Sequence, residues 1–400
     1  MIKEPLSIAI FGNTNNYPLL LAQGLKALGH KVRLVINRKE ILHRPESRYP
    51  NWINRYPDWI FDCSNITDDD VACQTRQLDQ AIRLLTHRVD LVILNDVGPA
   101  LAWALHSPHI VVLTGSDLAF YASFDSLQIR TKCWSNEFKR SLQGRRWLLS
   151  FSDFVARQRD GILAAELVCY SKRGLIPSGD ILLDEIGVED HRRLMLFISN
   201  TVDIQPQRAP RNERLTILCG CRIVYRPDKH PALGAIDFKG TDILIKGFAQ
   251  YIRSGEQGIL RLPRKGQDLD AAITLISDLG IEKHIDWLDA MPLARFYQEM
   301  SAADLVCDQF GTSFPGMVTT DAFALGRPVM AKMRNEIFGK LFPEPLPGFD
   351  AVSPEQICEH LMAIRKDSDL LETVGQKSRN YAEKYLSPEA MAKNLLTTWR

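Results

Sequence analysis

Four hundred residues, 45% hydrophobic and 24% charged, suit two soluble globular domains that each bury a core of their own. A net charge of +1 provides no global field for nucleic acid, and no apolar run reaches the roughly 20 residues that cross a bilayer. The eight cysteines show no paired spacing beyond one C-x-C at Cys219 and Cys221, so buried reduced thiols and a cytoplasmic location are expected, the chain running into a strand pattern soon after Met1.

In chain order, short β-rich apolar runs alternate with longer helical patterns. The first half predicts strands at Ser7–Phe11, Lys31–Val35, Asp90–Leu94, His109–Thr114, Leu167–Tyr170 and Met195–Ile198. Helices are expected at Pro18–Leu28, Thr75–Leu85, Pro99–His106 and Val155–Ala165. Most strand runs are continuously apolar rather than alternating, which marks strands covered on both faces and hence a parallel sheet. Asn200 to Arg214, with two prolines and three arginines, reads as a linker. Strands resume at Leu215–Cys219, Ile259–Leu262, His284–Leu288, Asp304–Asp308 and Pro328–Met330. The helices between them are Asp242–Ile252, Asp268–Leu279, Pro292–Ser301 and Val318–Leu325, and the tail from Pro354 is nearly all helical. This repetition predicts two doubly wound α/β domains, whose ligands sit outside the carboxyl ends of the strands.

The segment from Asp304 to Met330 carries the most chemical information. A buried strand runs into a loop, Gly311-Thr312-Ser313-Phe314-Pro315-Gly316, and a helix begins near Met317. A glycine-containing loop feeding a helix start offers backbone N–H groups and the positive end of a dipole, which suits a phosphate or diphosphate. Asp321, about one turn inside, can accept from ribose hydroxyls. On spacing alone, a plain β–α turn fits at least as well.

Asp321-Ala322-Phe323-Ala324-Leu325-Gly326-Arg327-Pro328-Val329 resembles the donor-binding signature of the retaining glycosyltransferases of the GT-B fold, family 4 type. Cys219-Gly220-Cys221-Arg222-Ile223 with Phe238-Lys239-Gly240-Thr241-Asp242-Ile243-Leu244 is similar to that family's Gly-Arg-Leu and Lys-Gly-x-Asp-x-Leu. Further collinear likenesses are Leu25 to Val32, with the turn residue His30, Val112 to Asp117, Cys169 to Lys172 and Ser199 to Asp203. The resemblance implies two Rossmann-like domains facing across a cleft, divided at 1–203 and 204–385, with a helix at 386–400 crossing back to the first. It also implies a nucleotide-diphosphate sugar, UDP-linked as first guess, moved with retention to an unidentified acceptor and without a metal or other cofactor. Arg222 and Lys239 would neutralise the diphosphate, with Arg226 a rival for Arg222. Ser313, Gly316, Met317, Val318 and Asp321 would hold the donor, while Asn15, Thr114, Gly115 and Asp117 would face the acceptor and sugar. Two positions depart from the pattern: Ser313 stands where the family has an acidic residue, and Thr114 where it has histidine. They point to an altered donor or to lost transfer.

Three rival readings stay open: a non-catalytic nucleotide-sugar-binding protein, an epimerase or phosphorylase of the same fold, and a nicotinamide dehydrogenase. The last is disfavoured, because Gly12-Asn13-Thr14-Asn15-Asn16-Tyr17 is no G-x-G-x-x-G. Asp68-Asp69-Asp70 after Thr67 reads as helix-start charge rather than a metal set. Arg130 to Arg159 holds eight basic residues against Glu137 and Asp153, a local net of +6, interleaved with aromatics. It fits either a peripheral membrane contact or a solvated face over core aromatics.

Overall fold

Continuous apolar runs become parallel strands here because both faces of each sheet are covered by helices. The computed structural model describes residues 4–207, 212–226, 238–311, 314–367 and 369–400. Their chain contacts divide into two units: Met1–Arg173, Pro177–Leu196 and Met391–Arg400 form the first, Gly174–Ile176 and Phe197–Ala390 the second.

The first unit is built on β1 (Ser7–Phe11), β2 (Lys31–Ile36), β3 (Ile60–Asp62), β4 (Leu91–Asn95), β5 (His109–Val112), β6 (Leu167–Cys169) and β7 (Arg193–Leu194). The order is β3-β2-β1-β4-β5-β6-β7, every neighbouring pair parallel. Ile8 pairs with Val32 on one side and Leu91 on the other. Ile8, Ala9, Ile10 and Phe11 are fully buried, each larger side chain stabilising the sheet by about 1.5–3 kcal/mol. The helices are α1 (Tyr17–Ala27), α2 (Asp68–Cys73), α3 (Asp79–Thr86), α4 (Ser116–Ala119), α5 (Asp125–Thr131), α6 (Asn136–Arg140), α7 (Leu142–Ala164) and α8 (Pro177–Ile186). Thr67 caps α2 and Asp70 bonds back to the Thr67 amide, so the acidic run is a helix start.

Several elements differ from the sequence reading. Met195–Ile198 is buried but follows the last strand of the sheet, Arg193–Leu194. The helix expected at Pro99–His106 is a 3-10 turn, Gly98–Ala104, over which α7 crosses so closely that a Cβ on Gly161 would meet the Pro99 carbonyl at 1.9 Å. The helix expected from Thr75 begins at Asp79 behind a short 3-10 turn. Val155–Ala165 is only the second half of α7.

The second unit holds β8 (Leu215–Cys219), β9 (Gly258–Pro263), β10 (Ile285–Leu288), β11 (Leu305–Cys307), β12 (Val329–Ala331) and β13 (Phe349–Asp350). Their order is β10-β9-β8-β11-β12-β13, again all parallel. Its helices are α9 (Thr241–Arg253), α10 (Leu269–Leu279), α11 (Leu293–Ala302), α12 (Met317–Ala324), α13 (Asn335–Leu341), α14 (Pro354–Lys366), α15 (Asp369–Tyr381) and α16 (Pro388–Trp399), the last ending in the first unit. The order reverses between β8 and β11, which are direct neighbours with Cys219 opposite Cys307. Chains leaving adjacent strands in opposite directions open a crevice at the carboxyl ends, the usual ligand position in such sheets.

Candidate functional site

The loops at that reversal point contain the sequence motifs. Beyond β8 the chain passes through Gly220 and Cys221 to the exposed Arg222, and beyond β11 through Asp308 and Gln309 toward α12. A Cβ on Gly220 would lie 2.4 Å from Cγ1 of Val318 in the first turn of α12, so glycine is needed for the approach. The Cys221 thiol donates to Asp308 Oδ1 at 2.9 Å. Burial, aided by the Asp308 charge, holds that thiol well above its ordinary pKa and keeps it a donor.

Asp308 is the residue that sequence reasoning missed. Its Oδ2 accepts from the Gly316 amide at 2.6 Å, the Thr319 amide at 3.2 Å and the Thr319 hydroxyl at 2.7 Å. The expected helix start, with N–H groups open to an anion, is therefore partly occupied by an internal carboxylate; Met317 and Val318 are not among the amides that it takes. A carboxylate is favoured there by the same dipole that would attract a phosphate. Asp308 is the last residue of an expected strand, and its reach to α12 depends on a loop path that no local pattern encodes.

Lys239 lies on the other side of this turn. Its Nζ donates to Gln309 Oε1 at 2.9 Å, and Gln309 Nε2 donates in turn to the Phe314 carbonyl. The Lys239 carbonyl accepts from Phe310 at 2.8 Å and Gly311 at 3.1 Å. Gly240, at φ +68°, allows this: its Cβ would sit 2.7 Å from the Gly311 nitrogen. Lys332, a cation that sequence reasoning also missed, follows β12 and donates to the Gly311 carbonyl at 3.2 Å; burial, then Arg334, lowers its pKa. Arg226, the rival cation, is turned to Asp268, which binds its side chain at 3.2 Å and its amide at 2.9 Å. Thr241 ties the Arg222 carbonyl to the start of α9 at 3.5 Å.

Asp321 is buried on α12 and accepts from the Tyr297 hydroxyl at 3.2 Å. The second unit thus places Gly220, two residues before Arg222, against Val318 at the start of α12, and links Lys239 to the loop before Gly316 and Met317, while Asp321 lies one turn further along that helix. Ser313 lies outside the described residues. Among those described, no group of three or more His, Cys, Asp or Glu side chains converges as a metal set.

The first unit presents its own loops at the carboxyl ends of β1, β4 and β5. Gly12, at φ +90°, approaches the Asn95 carbonyl, and the Thr14 amide donates to Asn95 Oδ1 at 2.9 Å. Asn15, itself left-handed at φ 55°, donates its amide to His43 Nδ1 at 2.9 Å; burial lowers the His43 pKa and keeps that nitrogen an acceptor. Asp117 differs from expectation. It is fully buried, and its carboxylate accepts from the Thr114 amide and hydroxyl, the amides of Gly115 and Leu118, and Asn95 Nδ2. It shapes the Thr114–Gly115 loop rather than facing a ligand, a distinction that spacing alone does not draw. Burial outweighs these donors and pushes its pKa up to about 6. Asn15, Thr114 and Gly115 are half-buried at the loop surfaces.

No protein-family profile matches the chain. One curated relative, the D-inositol 3-phosphate glycosyltransferase of Nocardia farcinica (strain IFM 10152), is 35% identical over 101 residues. That match spans 23% of this chain and only 22% of the relative's length. The likeness to solved structures covers almost everything. Sucrose-phosphate synthase from Thermosynechococcus elongatus superposes with a TM-score of 0.60 at 13% identity, over 99% of this chain and 98% of that one. Anabaena HepE, solved with UDP-glucose, gives 0.61 at 14% identity over 98% and 99%. The fold is therefore the α/β, two-domain Rossmann-like GT-B fold of these glycosyltransferases.

Proposed function

We propose that the chain is a glycosyltransferase that draws its sugar from a nucleoside-diphosphate donor held by the second unit. One observation carries the reading. The Arg222 segment meets the first turn of the helix that contains Asp321, through Gly220 against Val318, and Lys239 reaches the loop that leads into that helix, through Gln309 and Phe314. When a glycosidic bond to a diphosphate breaks, charge grows on the departing phosphate, and fixed cations stabilise it most at that moment. Arg222 supplies a planar fork, Lys239 a point charge, and Met317 and Val318 add helix-start amides. Asp321 takes the ribose, and Gly316 with Ser313 takes the sugar. Loops of the first unit near Asn15, Thr114 and Gly115 receive the acceptor. Transfer proceeds with retention, by likeness to the family, and without a metal, since the cations already neutralise the diphosphate. UDP is the first donor nucleotide to try, as HepE was solved with UDP-glucose.

The test is thermal shift with UDP, other nucleoside diphosphates and their sugars. At a hundred times Kd, a ligand stabilises its site by about 2.7 kcal/mol. Arg222→Ala, Lys239→Ala and Asp321→Ala should each remove most of that shift. If they leave it unchanged, the assignment fails. A second reading, a nucleotide-sugar binder without transfer, is favoured by the Asp308 carboxylate beside the phosphate position. Steady release of nucleoside diphosphate from a donor, lost in Lys239→Ala, would exclude it.

A further inference from the structure

In the first unit, α7 buries Gly144, Phe151, Phe154, Val155, Gln158, Gly161 and Ile162 against the body of the fold. Its first two turns turn a different row outward. Leu142, Arg145, Arg146 and Leu149 stand at i, i+3, i+4 and i+7, one helix face, and Leu142 and Leu149 are 67% and 66% exposed. The neighbouring short helices continue the surface with Phe138 on α6, 38% exposed, and Ile129 on α5, 43% exposed. Lys132 and Arg140 are exposed beside them.

Beneath lies a rigid aromatic platform. Trp134 meets Phe138 and Trp147 edge-on at 4.8 and 4.7 Å between centroids, and Trp147 stacks on Phe151 at 4.4 Å. Ser135 and Ser141 cap α6 and α7, so the outward row is fixed by structure rather than by chance. From Ser126 to Ser152, six basic residues face a single acid, Glu137, a local net of +5. Among the described residues, the ion pairs of this stretch are confined to Arg130 with Asp68, which leaves the charge of Lys132, Lys139, Arg140, Arg145 and Arg146 uncompensated by carboxylates.

We propose that this face docks the protein on an anionic phospholipid surface, its basic side chains against the headgroups and Leu142, Leu149, Phe138 and Ile129 at the headgroup–acyl boundary. A solvated face has no use for two leucines at the ends of an arginine pair. A second copy of the same face would bring like charge against like charge. A polyanion such as RNA would match the charge but not the apolar row. Interfacial binding uses both, apolar insertion and attraction to negative lipid. Arg130 also links α5 to Asp68, which Arg38 joins at 3.0 Å, and Arg38 in turn binds Asp96 just past β4. The docking face thus adjoins the end of the sheet where the first unit's loops lie. The proposal concerns binding alone and stands whether or not the chain transfers sugar.

Vesicle sedimentation tests it, with phosphatidylcholine alone against phosphatidylcholine carrying roughly one-third phosphatidylglycerol. The full chain should pellet with the anionic vesicles only and release as salt rises toward about 0.5 M. Arg145→Gln with Arg146→Gln should weaken partition roughly 25-fold, at about 5-fold per charge. Leu142→Ser with Leu149→Ser should also weaken it at low salt, with unchanged melting temperature because both side chains are exposed. Protein that stays in the supernatant with anionic vesicles at low salt overturns the proposal. So does binding that the leucine pair does not affect, or that RNA competes away at equal charge, either of which would make the face a general polyanion surface.

Discussion

Gly220→Ala tests whether the Arg222 segment really abuts the donor helix. The added Cβ would sit 2.4 Å from Cγ1 and 2.9 Å from Cγ2 of Val318, where carbon atoms settle at about 3.5–4.0 Å. Val318 cannot swing aside cheaply, because a β-branched side chain in a helix is held to one rotamer. The helix start must move or the loop must, and such overpacking costs about 1–3 kcal/mol. Loss of glycine freedom in the unfolded chain returns about 0.4–1 kcal/mol. The net expectation is a loss of about 1–2 kcal/mol, or about 2–8 °C in Tm for a unit of this size. Urea unfolding measures the first and calorimetry the second. Val318→Ala should relieve the clash, so the double variant should be more stable than the two single losses predict, by about 1 kcal/mol. Nucleotide-induced stabilisation should fall in Gly220→Ala and return in the double variant. A neutral Gly220→Ala, or strict additivity with Val318→Ala, refutes the contact and removes Arg222 from the site.

Asp308→Ala leaves two helix-start amides, a hydroxyl and the Cys221 thiol without their acceptor, and should cost about 2–4 kcal/mol in urea unfolding. Asp308→Asn keeps one oxygen and should cost about half as much; an alanine variant within about 0.5 kcal/mol of wild type contradicts the capping role. The raised pKa of Asp117, about 6, has a definite sign. The folded state keeps a proton that an unfolded chain releases near 3.9, so this group's stabilising contribution is complete below about pH 4 and lost as pH climbs through about 6, by about 3 kcal/mol. The stability difference between wild type and Asp117→Asn should change by that amount across the window; a pH-independent difference refutes it. If cations alone hold the diphosphate, UDP-induced stabilisation should be the same with and without EDTA, and its loss on chelation would require a metal.

The elements most legible in the sequence were the central strands. β1 and β8 fall at the bounds that their apolar runs predict, Ser7–Phe11 and Leu215–Cys219, since a strand buried on both faces writes its whole length in consecutive apolar residues. Two of the edge strands were not legible. Ile60–Asp62 and Phe349–Asp350 are too short and too half-covered to leave such a run. The first half of α7 was missed for another reason: its outward row carries leucines, so no single apolar stripe marks it as a core helix.

What the chain determined locally was the kind of each segment: the parallel strands, the helix containing Asp321, the glycines at Gly220 and Gly240 and the cations that follow. Those properties depend on near neighbours and on the period of burial. What only the tertiary structure decided was who meets whom. The Cys221 thiol reaches Asp308 across 87 positions, from the loop after β8 to a carboxylate that caps the helix following its own loop after β11. Asp117, written as a site residue, is drawn inside to hold its loop. Such pairings follow from the reversal of strand order between β8 and β11, a choice made by the packing of whole sheets that no window of neighbouring residues contains.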